Sequence, residues 1–143
     1  LVITTASAKN HALLKKIGAD EVIDYHTTNF AEVLTDVDLV FDTMGGEVQK
    51  NSFDVLKPNT GRLVSIVGIE DKQLAAEKNV SAESIWLQPN GEQLQKIADL
   101  MAAGKVKSII GEVFPFSRQG IYDAHALSET HHAVGKIVVQ MAE

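Results

Sequence analysis

The sequence predicts an α/β domain built on a doubly wound, mostly parallel sheet. Short β-branched runs alternate with segments of helical period along the chain. Asp38-Leu39-Val40-Phe41-Asp42 is a compact apolar run bounded by acids, the pattern of a strand buried on both faces. The spacing between successive strand candidates leaves room for right-handed crossovers, which make the sheet parallel. An α+β domain of other topology is the competing arrangement.

The elements follow in order. Val2 to Thr5 reads as a strand, and Ala8 to Ile17 as a helix with Leu13, Leu14 and Ile17 on one face and Gly18 as its stop. Glu21 to Asp24 is a short strand, and Asn29 to Leu34 a short helix carrying Phe30, Val33 and Leu34. After the 38–42 strand, Gly46 to Leu56 is expected to be helical. Lys57-Pro58-Asn59-Thr60-Gly61 is a turn, and Leu63 to Val67 a central strand ended by Gly68. The polar stretch Glu70 to Asn79 reads as a loop, and Val80 to Leu87 as a further strand. Asn90 and Gln93 have the spacing of a capping box, and Leu94, Ile97, Ala98 and Met101 form an i, i+3, i+4, i+7 stripe before Gly104. Val113-Phe114-Pro115 is extended. Ser117 caps a helix carrying Ile121, Ala124 and His125, weakened by Gly120. Gly135 to Met141 closes the chain as a strand.

The chain has 143 residues, 45% of them hydrophobic and 22% charged, with a formal net charge of −6. Such a length buries roughly two-thirds of the unfolded surface. The negative balance argues against a nucleic-acid partner, because phosphate backbones are held by clustered Lys and Arg. No apolar run approaches the roughly 20 residues of a membrane helix. The absence of cysteine excludes disulfides, zinc–thiolate sites and Cys nucleophiles, and fits a reducing cytoplasm. No repeat, linker or secretory leader is evident.

Doubly wound folds bind ligands beyond the carboxyl ends of their strands. Those ends are Thr5-Ala6-Ser7, Asp24-Tyr25, Thr43-Met44-Gly45-Gly46 and Val67-Gly68. When such a fold prefers NAD, an acid after its second strand accepts from the ribose 2′-hydroxyl. Here no Asp or Glu precedes Asp20. Ser7, Lys9, Asn10 and His11 stand at the first bend, followed by Lys15 and Lys16. Hydroxyl, amide and ammonium donors at a helix start suit a phosphate, and a carboxylate there would repel it. The same residues also read as an N-cap and a solvated lysine face.

The runs 2–7, 17–25, 38–46, 57–64, 94–105, 113–115 and 132–138, in this order, resemble the medium-chain dehydrogenase/reductase superfamily. The quinone oxidoreductase-like branch, often labelled zinc-type alcohol dehydrogenase, is the nearest in pattern. The resemblance covers essentially the whole chain. It implies a Rossmann-like fold and NADPH-dependent hydride transfer to a quinone, enone or aldehyde. It further implies that Ala6, Ser7, Lys9 and Asn10 approach the cofactor 2′-phosphate, with Tyr25 and His131 beside them. The Gly45-Gly46 corner would lie along the ribose and Gly68 near the nicotinamide, with Thr43 also among the cofactor-binding residues. Asn10 and His131 stand where relatives carry cations.

The chain departs from that family in one large respect. A complete member carries a GroES-like catalytic domain, then a first strand and a G-x-G-x-x-G turn. None occurs in these 143 residues, which look like a partial dinucleotide-binding domain (1–143) with a return segment from about 113 to 143. No catalytic residue is therefore assigned, and the chain alone is expected to be inactive. A small-molecule substrate would belong to the full-length parent. In the usual 3-2-1-4-5-6 strand order, the strands at 2–5 and 38–42 each lose a neighbour. Exposed edges favour self-association, so a homo-oligomer, a dimer being the simplest, is expected. A non-catalytic NADP(H)-binding or dimerisation module is the alternative, with Val80–Leu87 as its edge.

Other constellations carry less. His125, His131 and His132 lack an acid or thiol at ligand spacing, so no metal site is expected. Asp42 reads as structural, and Trp86 as a core or dimer contact. The order of Ser, His and Asp does not fit a hydrolase.

Overall fold

Parallel pairing runs through every sheet of the computed structural model, which describes residues 1–141. Ala142 and Glu143, at the end of the expected domain, lie outside the described residues. The chain divides into two compact units, Leu1–Gln88 and Pro89 onward.

The first unit opens with β1 (Ile3–Thr5), a 3-10 turn at Ala8–Asn10, and α1 (His11–Ile17). Gly18 ends α1 at φ 117°, a left-handed stop open to glycine. β2 (Glu21–Ile23) pairs with β1, Ile3 opposite Glu21 and Thr5 opposite Ile23. The Asn29 side chain accepts from Ala31 N–H and starts α2 (Phe30–Val33). β3 (Leu39–Asp42), α3 (Gly46–Val55) and β4 (Arg62–Ser65) follow as expected within a residue or two. Gly61 closes the 57–61 turn so tightly that a Cβ would overlap the Lys57 backbone.

The expected loop between Glu70 and Asn79 instead holds α4 (Lys72–Glu77). Asp71 caps it, accepting from Leu74 N–H at 2.8 Å. β5 (Ser81–Ser84) is shorter than the expected 80–87 run, and pairs with β4 as β4 pairs with β3. Phe53, Leu56, Leu63 and Ala75 form the core, with Val37, Val40, Leu74 and Ala82 packed around it.

Two sheets therefore share this unit, β1-β2 and β3-β4-β5. The break between them falls between β1 and β3, where the sequence implies an absent strand. Among the described residues, β1 pairs only with β2, and β3 only with β4. The expectation that β3 is buried on both faces is not met. Val40 and Asp42 turn inward, whereas Leu39 and Phe41 are 58% and 60% exposed. Alternate side chains of a strand point to opposite faces, and only one face of β3 is covered.

In the second unit, Asn90 accepts from Gln93 N–H at 3.0 Å and caps α5 (Gly91–Ala102). The stripe Leu94, Ile97 and Met101 has the expected spacing but is exposed. β6 (Ile110–Pro115) pairs with β7 (Lys136–Gln140), and α6 (Arg118–Glu129) packs on both. Gly120 does not weaken α6 so much as permit it, because a Cβ there would overlap the Pro115 carbonyl.

Candidate functional site

The site residues named by the sequence fall on two coupled pairs of strand ends, with one outlier. The first pair joins the tips of β1 and β2, where Ala6 N–H donates to Ile23 O at 2.9 Å and continues the ladder past Thr5. The chain then turns sharply. Ser7 sits at the N-cap of the 3-10 turn, yet its hydroxyl caps no backbone N–H. Ser7 Oγ instead accepts from Asn10 Nδ2 at 3.3 Å, and His11 Nε2 lies 3.3 Å from Ala6 O. The N-cap reading of Ser7 thus holds in position only.

Lys9 is exposed and makes no ion pair among the described residues. Asp20, the first acid of the chain, accepts from Val2 N–H at 2.7 Å, at the amino end of β1 and away from the bend. Lys15 Nζ donates to Asp20 O, which draws that lysine to the same far end. Asp24 is the carboxylate nearest the bend by register, and its Oδ1 accepts from His26 N–H at 3.0 Å. Tyr25 is exposed, its ring tilted 42° against His26 with centroids 4.2 Å apart. Ala6, Ser7, Lys9, Asn10 and Tyr25 are thereby carried on one pair of adjacent tips.

The second pair joins the tips of β3 and β4. Asp42 Oδ1 accepts from Met44 and Gly45 N–H, both at 3.0 Å, which folds Thr43–Gly46 into a tight corner. Asp42 Oδ2 accepts from Ser65 Oγ at 2.8 Å and from Gln49 Nε2 at 2.7 Å. Gln49 also donates to Gly68 O at 2.7 Å and accepts from Glu70 N–H at 3.0 Å. Glu70 Oε1 in turn accepts from Gly46 N–H at 2.9 Å. Gly45 has φ 70° and ψ −161°, backbone that only glycine adopts without strain. Gly68 has φ 98° and open space where a Cβ would stand. Thr43, Gly45 and Gly68 are therefore gathered into one rim.

Burial pushes the Asp42 carboxyl up, but hydrogen bonds from Gly45, Gln49, Ser65 and Met44 outweigh it and hold the group below its ordinary value. Asp42 is a buried anion stabilised by donors, in keeping with the structural role expected for it.

His131 is the outlier. It belongs to the second unit, where it follows α6 at φ 57° and donates its N–H to Ser128 O. Gln49, Ser65 and Glu70 are the members of the rim that sequence reasoning misses. Gln49, Ser52 and Phe53 share one buried stripe of α3, so the signal was an amide on an otherwise core-facing helix side.

The arrangement suits a dinucleotide. The first tips present hydroxyl, amide and ammonium groups, and the second present backbone brought close by glycine. The described residues include no cluster of three or more His, Cys, Asp or Glu able to hold an ion. Nor is any described helix long and apolar enough to cross a membrane.

Comparison with known proteins places this geometry in context. Residues 17–139 match the family model described as zinc-binding dehydrogenase. The chain is 28% identical to the mitochondrial NAD(P)H oxidoreductase RTN4IP1 of Danio rerio, over 99% of this chain and 43% of that protein. It is 30% identical to the chloroplastic NADPH-dependent alkenal/one oxidoreductase of Arabidopsis thaliana, over 96% of this chain and 33% of that protein. The quinone oxidoreductase from Coxiella burnetii superposes with a TM-score of 0.88 at 38% identity, over 99% of this chain and 45% of that one. The chain spans less than half the length of these relatives.

Proposed function

The chain belongs to the zinc-binding dehydrogenase family, and from that premise we propose that it is the cofactor-binding part of an NADPH-dependent oxidoreductase. The parent reduces a quinone, enone or aldehyde by hydride transfer. Relatives described as NADPH-dependent alkenal/one oxidoreductase and quinone oxidoreductase support the substrate class.

One observation carries the choice of NADPH. The β1 bend holds Ser7, Lys9 and Asn10, while the first acid, Asp20, is tied to the opposite end of the strand. In an NAD site a carboxylate would occupy the bend and accept from the ribose. Ser7 and Asn10 would donate to the 2′-phosphate, Lys9 would neutralise it, and Tyr25 would lie beside it. Thr43, Gly45 and Gly68 would contact the ribose and nicotinamide through backbone. When bound, NADPH supplies the hydride, and the protein's task is to bind and orient it. The described residues offer no donor set for the zinc of the family's description. The chain alone lacks a substrate cleft on this reading and turns over no NADPH. The lack of cysteine supports a reducing compartment such as the cytoplasm, although two of the relatives above are described as mitochondrial and chloroplastic.

Calorimetric titration with NADPH and NADH tests this. The chain binds NADPH more tightly, and Ser7→Asp weakens NADPH by about tenfold or more through charge repulsion while NADH changes little. Equal affinity for the two nucleotides would refute the phosphate bend.

A homo-oligomer is the second part of the proposal. β5 lies at the edge of its sheet and leads into Ile85, Trp86 and Leu87, of which Trp86 is 88% exposed. An open edge beside an exposed aromatic is a natural surface for a second copy.

A further inference from the structure

We propose that Gln49 is a positioning residue that locks the two loops at the tips of β3 and β4 into one wall for the nicotinamide half of the dinucleotide. The inference rests on the cofactor reading above and adds to it a residue that contacts no ligand.

A primary amide offers two donors and a two-lone-pair acceptor. Gln49, only 1% exposed, uses both N–H groups and its carbonyl oxygen. Nε2 donates to Asp42 Oδ2 and to Gly68 O, each at 2.7 Å, and lies 3.4 Å from Ser65 Oγ. Oε1 accepts from Glu70 N–H at 3.0 Å. One side chain thus grips β3 through Asp42 and the loop after β4 at two points.

The corner 43–46 is held to the same anchor. Asp42 binds Met44 and Gly45 N–H through its other oxygen, and Glu70 returns to Gly46 N–H. Gly68 is thus held by Gln49 directly, and the 43–46 corner is held through Asp42 and Glu70, both of which are partners of Gln49. No described group substitutes for it. Ser65 Oγ reaches Asp42 and Val67 N–H but not the Gly68 carbonyl or Glu70 N–H. A fully satisfied buried network of this kind fixes a single geometry, and removal of its central member leaves several groups unpaired.

No hydrogen bond among the described residues joins the grip to the β1 bend, which provides the discriminating measurement. Gln49→Leu is compared with the unaltered chain by amide hydrogen exchange and by calorimetric binding of NADP+ and of 2′,5′-ADP, which carries only the adenosine half. Exchange is expected to quicken in both loops, 43–46 and 66–70. NADP+ affinity should fall about tenfold, and 2′,5′-ADP affinity should stay within about twofold. Faster exchange in one loop only, equal losses for both ligands, or retained NADP+ binding would each overturn the inference.

Gln49→Glu provides the second variant should Leu prevent folding. Its carboxylate would face Asp42 and the Gly68 carbonyl, with Glu70 beside it, and burial among acceptors raises its pKa. Protonation restores one donor, so its NADP+ affinity relative to the unaltered chain should recover as pH falls from about 8 to about 6. A flat ratio would overturn the positioning role. If the unaltered chain binds neither ligand, the cofactor reading fails and the role falls with it; failure of the Gln49 variants alone leaves that reading standing.

Discussion

Ser65 Oγ donates to Asp42 Oδ2 at 2.8 Å, and the same two residues face each other in the register of β3 and β4. Both are buried at the carboxyl ends of their strands. The pair is consequently a side-chain rung added to the backbone ladder, placed where the proposed ligand rim begins. Ser65→Ala removes it and deprives Val67 N–H of its acceptor. Urea denaturation should show a loss of about 1–3 kcal/mol, the cost of leaving buried polar partners unmade.

Asp42 makes stability depend on acid. Its folded pKa lies below the ordinary 3.8, so the unfolded chain binds its proton first. Its contribution is complete above 3.8 and is lost as pH falls through the depressed folded value. Asp42→Asn should be less stable at neutral pH, with a shallower acid decline in that range. An unchanged slope in urea titrations at stepped pH would contradict this.

Two glycines should respond oppositely to alanine. At Gly45 a Cβ would stand 3.1 Å from Glu70 Oε1 and 3.3 Å from Val67 Cγ2, in backbone that disfavours any side chain. Gly45→Ala should cost about 1–3 kcal/mol and quicken amide exchange at Gly46. Gly91 begins α5 with nothing within 4 Å of its Cβ position. There alanine should stabilise by about 0.4–1 kcal/mol through the unfolded chain. Thermal unfolding of both variants checks the pair.

Self-association should depend on the edge beside β5. Light scattering should give a mass above 15.5 kDa for the unaltered chain. Trp86→Lys should shift it towards the monomer, because a charge at an open edge discourages pairing. A monomer at every concentration tested would remove the second part of the proposal.

Capping and turn chemistry were legible from neighbouring residues. Asn90, Ser117 and Gly18 act where the sequence placed them, since each satisfies or ends a helix through groups a few residues away. Asp71 does the same for α4, but its helix is six residues long and too short for a clear apolar period. At the candidate site, Ser7 and Gly45 could be named from strand-end chemistry. Gln49 could not, because its partners Asp42, Gly68 and Glu70 are 7, 19 and 21 residues away.

By itself the sequence determined the alternation of strands and helices, the parallel sense of pairing and the uncharged-to-basic character of the first bend. Those properties follow from side-chain period, crossover length and the order of charges. Only the tertiary structure decided that Leu39 and Phe41 remain exposed, and that one buried amide holds two strand tips together. An apolar run encodes a tendency to be covered, whereas its actual cover and its hydrogen-bond partners depend on which distant segments reach it.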